Sequence, residues 1–319
     1  MQAKTDKDHR FAPDPEEPDF AALLGAMFPL PASMEPMLAG ALVHALENPG
    51  TLVRPRLVYR LASVYGMREK ASLQLAAALE YFHTASLLFD DLPCMDDALE
   101  RRNAPCTHLV FGQESAILAA LALVNRAYAL VWQAVFASPQ AIQSRALSFI
   151  EQCLGVTGLL NGQSLDLHYA GLPQNRHTTE SIARGKTVSL IRLTLVLPAI
   201  LGGAPERELR CLERIALYWG LSYQIVDDLK DIIETAAQSG KTSARDRFLG
   251  RPNMAEVLGV EAATERLMRL LELGDHAMRR LLEYRPAVSV LAQLRSALEH
   301  ELRRVIGHSG LRQVQGARS

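Results

Sequence analysis

The chain is predicted to be an all-α bundle around a deep central cavity, and three observations carry that expectation. Apolar residues recur at helical spacing through nearly all of the 319 residues. Convincing alternating strands are absent. Two aspartate clusters, Asp90-Asp91-Leu92-Pro93-Cys94-Met95-Asp96 and Asp227-Asp228-Leu229-Lys230-Asp231, each close a long apolar stretch. Crowded like charges repel and shift each other's pKa unless cations share the site. Two such clusters suit several hard cations held between facing helices. Mg²⁺, with three ions expected, takes oxygen ligands and completes its shell with substrate phosphate.

Residues 1–18, rich in Asp, Glu, Lys and Pro, are expected to be disordered, and 307–319 to form a polar tail. The span 19–306 reads as a single domain. Helices are expected over 19–28, 33–47, 54–66, 69–92, 113–136, 139–160, 178–202, 206–236, 260–284 and 287–306. Pro49-Gly50, Gly202-Gly203-Ala204-Pro205 and Ser239-Gly240 punctuate them. Ala71 to Leu88 and Val188 to Leu201 are apolar nearly all round, which places them centrally. Acidic clusters at the ends of such helices describe an apolar pocket with a metal-bearing mouth.

Hydrophobic residues make up 49% of the chain, ample for a core, and the net charge of −1 gives no support for a nucleic-acid partner. No uninterrupted apolar run of membrane-spanning length is read, and the N-terminus lacks the charged-then-apolar signal pattern, so stable membrane insertion is not expected. Cys94, Cys106, Cys153 and Cys211 form no CxxC pair, which argues against zinc and disulfides and for a reducing, cytoplasmic setting. Cys94 reads as a small neutral spacer inside the first cluster.

Asp227 and Asp231 share a helical face, with Gln224 one turn before Asp227. Pro93 is expected to end the first helix, so that Asp96 folds back toward Asp90. Arg101 and Arg102 follow the first cluster, Lys186 lies mid-chain and Lys241 follows the second. Arginine forks suit phosphate oxygens and lysine serves as a point charge. Metals and fixed cations above a dry cavity suit ionisation of a diphosphate ester, with the pocket sheltering the carbocation. A lone acidic pair in a helix is usually a solvated face or a cap. Two pairs, both closing apolar helices and both followed by basic residues, rarely arise that way. His83 on an apolar face is by default a core histidine, yet it lies two turns before Asp90 on the same face. Gln163 and Asp166, one turn apart, suit either a polar face or the site. Lys186 and Thr187 interrupt an apolar helix, and a buried lysine needs an anion.

Together these residues resemble the trans-isoprenyl diphosphate synthase (polyprenyl synthetase) family within the class I isoprenoid synthase fold. The likeness runs from about residue 45 to 260 and rests on His83-Thr84, the long first aspartate motif, Arg101-Arg102, and the Asn103-Ala104-Pro105 turn. Gly162-Gln163 with Asp166, Lys186-Thr187, and Tyr223 to Asp228 with Asp231 complete it. The resemblance implies an all-α, usually dimeric enzyme. It implies magnesium sites at Asp90, Asp91, Asp96, Asp227, Asp228 and Asp231, and an allylic diphosphate held by Arg101, Lys186 and Lys241. One departure stands out. Where family members carry Gly-Gly-Lys-Arg-x-Arg-Pro, this chain has Pro49-Gly50-Thr51-Leu52-Val53-Arg54-Pro55. By the resemblance, Arg54, His83 and Arg102 remain from the isopentenyl diphosphate site. A charge-assisted contact contributes about 1.5–3 kcal/mol, so two lost contacts weaken that binding roughly 10²–10⁴-fold. The expectation favoured here is therefore a terpene synthase of prenyltransferase ancestry acting on geranyl, farnesyl or geranylgeranyl diphosphate. A chain-elongating prenyltransferase is the alternative. A non-catalytic subunit would show degraded motifs, and both motifs are whole. Ala85 and Ser86, one turn below the first aspartates, and Phe82, two turns below, are expected to shape the pocket floor.

Overall fold

A computed structural model describes residues 17–237 and 250–308, almost wholly as helices. Asp19 opens α1 (Phe20–Met27) by accepting the N–H groups of Ala21 and Ala22. Glu35 does the same at α2 (Pro36–Glu47), where Pro36 occupies the first turn and its missing N–H costs nothing. After α3 (Val53–Val64) comes α4 (Glu69–Asp90), whose residues are buried on nearly every side. It packs between α3 and α6 (Gln113–Phe136), with the short α5 (Thr107–Phe111) leading in. The second half runs α7 (Gln140–Leu154), α8 (Leu159–Leu167), α9 (Arg176–Ala183), a π-helical turn (Arg184–Val188), α10 (Ser189–Leu195) and α11 (Leu197–Leu201). Then follow α12 (Glu206–Ala237), α13 (Met254–Leu258), α14 (Val260–Tyr284) and α15 (Leu291–His308). α12 packs on α14, on α15 and on the π turn.

The helices expected over 113–136 and 260–284 have those bounds. Elsewhere backbone chemistry shortened or split the periodic stretches. α4 stops at Asp90 rather than at residue 92, because after the last i→i−4 bond, Asp91 N–H to Leu87 O, the Leu92 N–H bonds to Phe89 O in a tighter turn ahead of Pro93. The stretch 139–160 divides into α7 and α8 at Gly155 and Gly158. A Cβ on Gly158 would sit 2.2 Å from the Cys153 carbonyl oxygen, so only glycine fits that bend. The stretch 178–202 is cut by the π turn and again at Pro198, which has no N–H to give. Ordered chain starts at least as early as Glu17, two residues before the expected domain start, because Glu17 accepts from Arg56 (3.0 Å) and Arg60. α15 reaches His308, beyond the expected end at 306.

Two further differences bear on function. A two-residue antiparallel ribbon pairs Glu100-Arg101 with Ala104-Pro105, where no strand was expected. Arg102 and Asn103 between them have φ of +56° and +64°, the left-handed pair that a two-residue hairpin needs. And α6 is long and apolar enough, by length and composition, to cross a membrane, although Asn125 and Arg126 interrupt its apolar run. Its inner face packs on α4, and Arg126 near its middle donates to Met27 O at 2.6 Å. The four cysteines are free thiols, with Cys94 exposed.

α8 and the π turn cross at a glycine–glycine contact. A Cβ on Gly162 would lie 2.3 Å from the Lys186 backbone nitrogen, and one on Gly185 would lie 2.6 Å from Gly162 Cα. Backbone cannot yield as a flexible side chain can, so this contact sets the depth of Lys186. Gly162→Ala is expected to destabilise the protein by roughly 2–3 kcal/mol, as overpacked cores do, measurable as a lower urea midpoint at unchanged m-value.

Candidate active site

The first acidic cluster is a helix end folded over itself. Asp90 is the last residue of α4, and the Asp96 N–H bonds to Asp90 O at 2.9 Å, returning the loop onto the helix end. The two adjacent carboxylates then part company. Asp91 is 3% exposed and accepts both Nε (3.0 Å) and Nη2 (2.5 Å) of Arg101. Asp90 is only partly buried and accepts from Gln163 Nε2 of α8 at 2.8 Å. Burial, first of all, and the nearby Asp96 and Asp166 carboxylates raise the Asp90 pKa to about 6, against the pull of Lys186 and Arg101.

The second cluster divides the same way. Asp228, 3% exposed, accepts Gln224 Nε2 (2.9 Å) and the Met254 N–H (2.7 Å), which fastens α13 to α12. Asp227 is exposed and Asp231, one turn on, is half-buried. Gln224 also accepts Thr187 Oγ1 at 2.7 Å, tying the π turn to this cluster. Lys186, beside Thr187, donates Nζ to Asp166 at 2.9 Å. Burial alone would lower the Lys186 pKa, but Asp166, Asp90 and Asp96 outweigh it and raise it, so the ammonium stays charged. π turns recur at functional sites, and this one aims Lys186 at α8 and Thr187 at α12.

A separate cationic group lies behind the first cluster. The ribbon turns Arg102 away from its neighbour Arg101. Arg102 donates to Asn48 O at 2.5 Å and lies 3.7 Å from Glu80 Oε1, while Arg54 lies 4.0 Å from Glu80 Oε2. Glu80 is 2% exposed, and burial raises its pKa in spite of both arginines. His83 is neutral at physiological pH, because burial and then Arg54, Arg102 and Arg101 hold its pKa well below the usual histidine value. Leu52, with φ of +54°, turns into the core, as its neighbour Thr51 does not.

Thus Asp90, Asp96, Arg101, Gln163 and Lys186 gather with Asp166 at one mouth. Thr187, Gln224 and Asp228 join the second cluster to it, and Arg54 and Arg102 collect around Glu80, with His83 in the field of both arginines. Lys241 lies outside the described residues. Two participants escaped the sequence reading. Glu80 sits in the stretch Ala71 to Leu88, where a single acid among apolar residues was the available signal. Arg251, 7% exposed at its side chain, donates to Asp96 from a segment with no motif of its own. Among the described residues no three acidic, histidine or cysteine side chains lie close enough to hold a metal ion by themselves. The donor set is nevertheless all carboxylate oxygen, and both the burial and the neighbouring carboxylates that raise the Asp90 pKa are offset by a hard cation, so the residues fit magnesium.

The chain matches the polyprenyl synthetase family over residues 35–284. It belongs to that family. Geranylgeranyl pyrophosphate synthase 4 of Arabidopsis thaliana is 36% identical over 233 residues, 72% of this chain and 62% of that protein. Geranylgeranyl pyrophosphate synthase 11, chloroplastic, of the same plant is 35% identical over 252 residues, covering 77% and 69%. An FPP/GFPP synthase from Zymomonas mobilis superposes with a TM-score of 0.74 at 26% identity, covering 88% of this chain and 94% of that one. A Helicobacter pylori geranyltransferase, complexed with magnesium and isoprenyl diphosphate, superposes equally well at 26% identity, covering 89% and 94%. The fold is therefore the all-α class I isoprenoid synthase bundle. These names overturn the expectation of a terpene synthase and favour the chain-elongating prenyltransferase. The physical reason lies at the departure itself: Thr51 and Leu52 replace two cations, but Arg54 and Arg102 remain assembled on buried Glu80, with His83 in their field.

The Asp90 shift in this polyprenyl synthetase has a measurable consequence. An acid whose pKa is raised by folding contributes stability that is fully present below its unfolded value of 3.8 and is lost as the pH rises through about 6. Metal-free wild type should therefore lose roughly 2–3 kcal/mol of stability between pH 4 and 7 that Asp90→Asn does not lose. Urea denaturation in chelator across that range measures it.

Proposed function

We propose that this protein is a magnesium-dependent, chain-elongating trans-prenyltransferase that condenses isopentenyl diphosphate with an allylic diphosphate. The observation that carries this reading is the opposed aim of two adjacent arginines. Arg101 serves the first aspartate cluster, while Arg102 joins Arg54 at Glu80. Two cationic groups side by side are what a two-substrate reaction between diphosphates requires. The family's reliance on magnesium and the names of the relatives support the same conclusion.

In this reading Asp90, Asp96, Asp227 and Asp231 would hold the magnesium ions, taken as three. Asp91 and Asp228 hold Arg101 and α13 rather than metal. Bound Mg²⁺ supplies charge withdrawal from the diphosphate as the allylic carbon–oxygen bond breaks. Lys186, with Arg101, neutralises the leaving group from fixed positions, and Lys241 is assigned there by resemblance. Gln163 orients Asp90, and Thr187 with Gln224 orients Asp228. Arg54 and Arg102 bind the second diphosphate, and neutral His83 beside them offers a hydrogen bond without added charge. The isopentenyl double bond then attacks the allylic cation, and the new cation gives up a proton to the released diphosphate, which restores a double bond and lengthens the chain by one unit. The span 19–306 acts as one domain, and four free thiols suit a reducing, cytoplasmic compartment. Relatives named chloroplastic and mitochondrial show that other destinations occur in the family.

Two further features are assigned here. Phe82, 5% exposed, packs edge-on against Tyr128 with ring centroids 4.9 Å apart and forms the floor under the growing chain. Leu109 and Val110 of α5 with Leu118 and Leu121 of α6 are each about half exposed, an apolar surface suited to a second copy of the chain. One relative is named a heterodimeric large subunit, which keeps subunit pairing in view.

Purified protein with Mg²⁺ and geranyl or farnesyl diphosphate should yield longer prenyl diphosphates only when isopentenyl diphosphate is present. Products that form at full rate without it, with none consumed, would overturn the reading. Lys186→Ala should lower kcat/KM roughly 10–150-fold, the value of one charge-assisted contact. Phe82→Ala should shift the products to longer chains by chromatography of the dephosphorylated alcohols. Light scattering should report a dimer for wild type and a monomer for Leu118→Glu with Leu121→Glu.

A further inference from the structure

None of these roles uses Arg251. Its guanidinium is buried, and one terminal nitrogen donates to Asp96 Oδ1 at 2.7 Å and to Met95 O at 2.9 Å. The other terminal nitrogen lies 3.8 Å from Asp166 Oδ2, the oxygen that accepts Lys186 Nζ. Its Nε is buried without a partner. A buried charge is tolerated only when it is paired, and here carboxylates from two separate elements supply the pairing. Arg251 thus stands between Asp96 and Asp166 as a cation would.

The following residues fasten the same segment to the other cluster. Asn253 donates its side-chain amide to Asp228 O at 3.1 Å, and the Met254 N–H bonds to Asp228 Oδ2. From Arg251 to Met254 the chain spans at most about 11 Å. One short strap is therefore tied to the first acidic cluster at one end and to the second at the other.

We propose that Arg251 is a positioning residue: a resident cation that holds Asp96 in the metal-free site and yields it when Mg²⁺ binds. The inference rests on the reading of Asp96 as a magnesium ligand. Mg²⁺ must take Asp96 from a charge-assisted hydrogen bond, so the arginine opposes metal binding in the resting site and keeps the loop after Asp90 in place until metal arrives. Asp166 and Lys186 keep a polar partner on the far side of Arg251 once Asp96 has left. A purely structural bolt predicts the opposite sign, since loosening the loop would cost metal affinity.

The test is calorimetric titration of Mg²⁺ into the full chain, with and without inorganic pyrophosphate, for wild type, Arg251→Met and Arg251→Lys. Arg251→Met should bind Mg²⁺ about 10-fold or more tightly than wild type without pyrophosphate, and its metal-free form should melt at a lower temperature. Arg251→Lys, which keeps a charge but loses the fork, should fall between the two and serves alone if Arg251→Met does not fold. Equal or weaker Mg²⁺ affinity in the variants, with wild type binding normally, overturns the role of Arg251 and leaves the prenyltransferase reading intact. Failure of wild type to bind Mg²⁺ even with pyrophosphate overturns both.

Discussion

The bundle places carboxylates at the end of α4, a helix buried on nearly every side, and in the second half of its longest helix, where they cannot all face water. Everything around the site answers that constraint. Asp91 is neutralised by Arg101, Asp166 by Lys186 and Asp96 by Arg251, while Asp228 accepts hydrogen bonds from Gln224 and a backbone N–H. An uncompensated charge at any of these places would cost several kcal/mol. Pairing therefore sorts the aspartates. The most buried member of each cluster braces the scaffold, while Asp90, Asp96, Asp227 and Asp231 keep accessible surface, as the proposed metal sites require.

The same balance bears on the sequence departure at Thr51 and Leu52. Thr51 and Leu52 remove two positive charges from a place that already holds a buried glutamate. Four arginine and lysine side chains crowded there would repel one another, whereas Arg54 and Arg102 are close to balance with Glu80 between them. His83 stays neutral in this company and adds no further charge. Arg102 also sits in a left-handed conformation, a strained state for a side-chain-bearing residue that its bonds to Asn48 and Glu80 hold in place.

Helix irregularity does the positioning. Glycine at residues 158, 162 and 185 lets α8 approach the π turn until backbone touches backbone. That turn then presents Lys186 and Thr187, adjacent in sequence, to two different helices. A regular helix from 178 to 202 would rotate successive residues by about 100° and offer only one of them to the site.

The sequence by itself determined the helical class, the family, the two acidic clusters and most of their basic partners. Those features are local: hydrophobic period, like charges closing apolar helices, and a lysine where an apolar helix should have none. It also carried the departure at Thr51-Leu52, but read alone that departure pointed to a terpene synthase. Only the tertiary structure showed Arg54 and Arg102 gathered on Glu80, a residue the apolar stretch from 71 to 88 had hidden. Only the tertiary structure separated Asp91 from Asp90 and Asp228 from Asp227, because burial is decided by what packs on a helix end. Arg251 belongs wholly to the fold: its partners lie 155 positions away at Asp96 and 85 at Asp166, and no local pattern marks an arginine whose charge is matched across such distances.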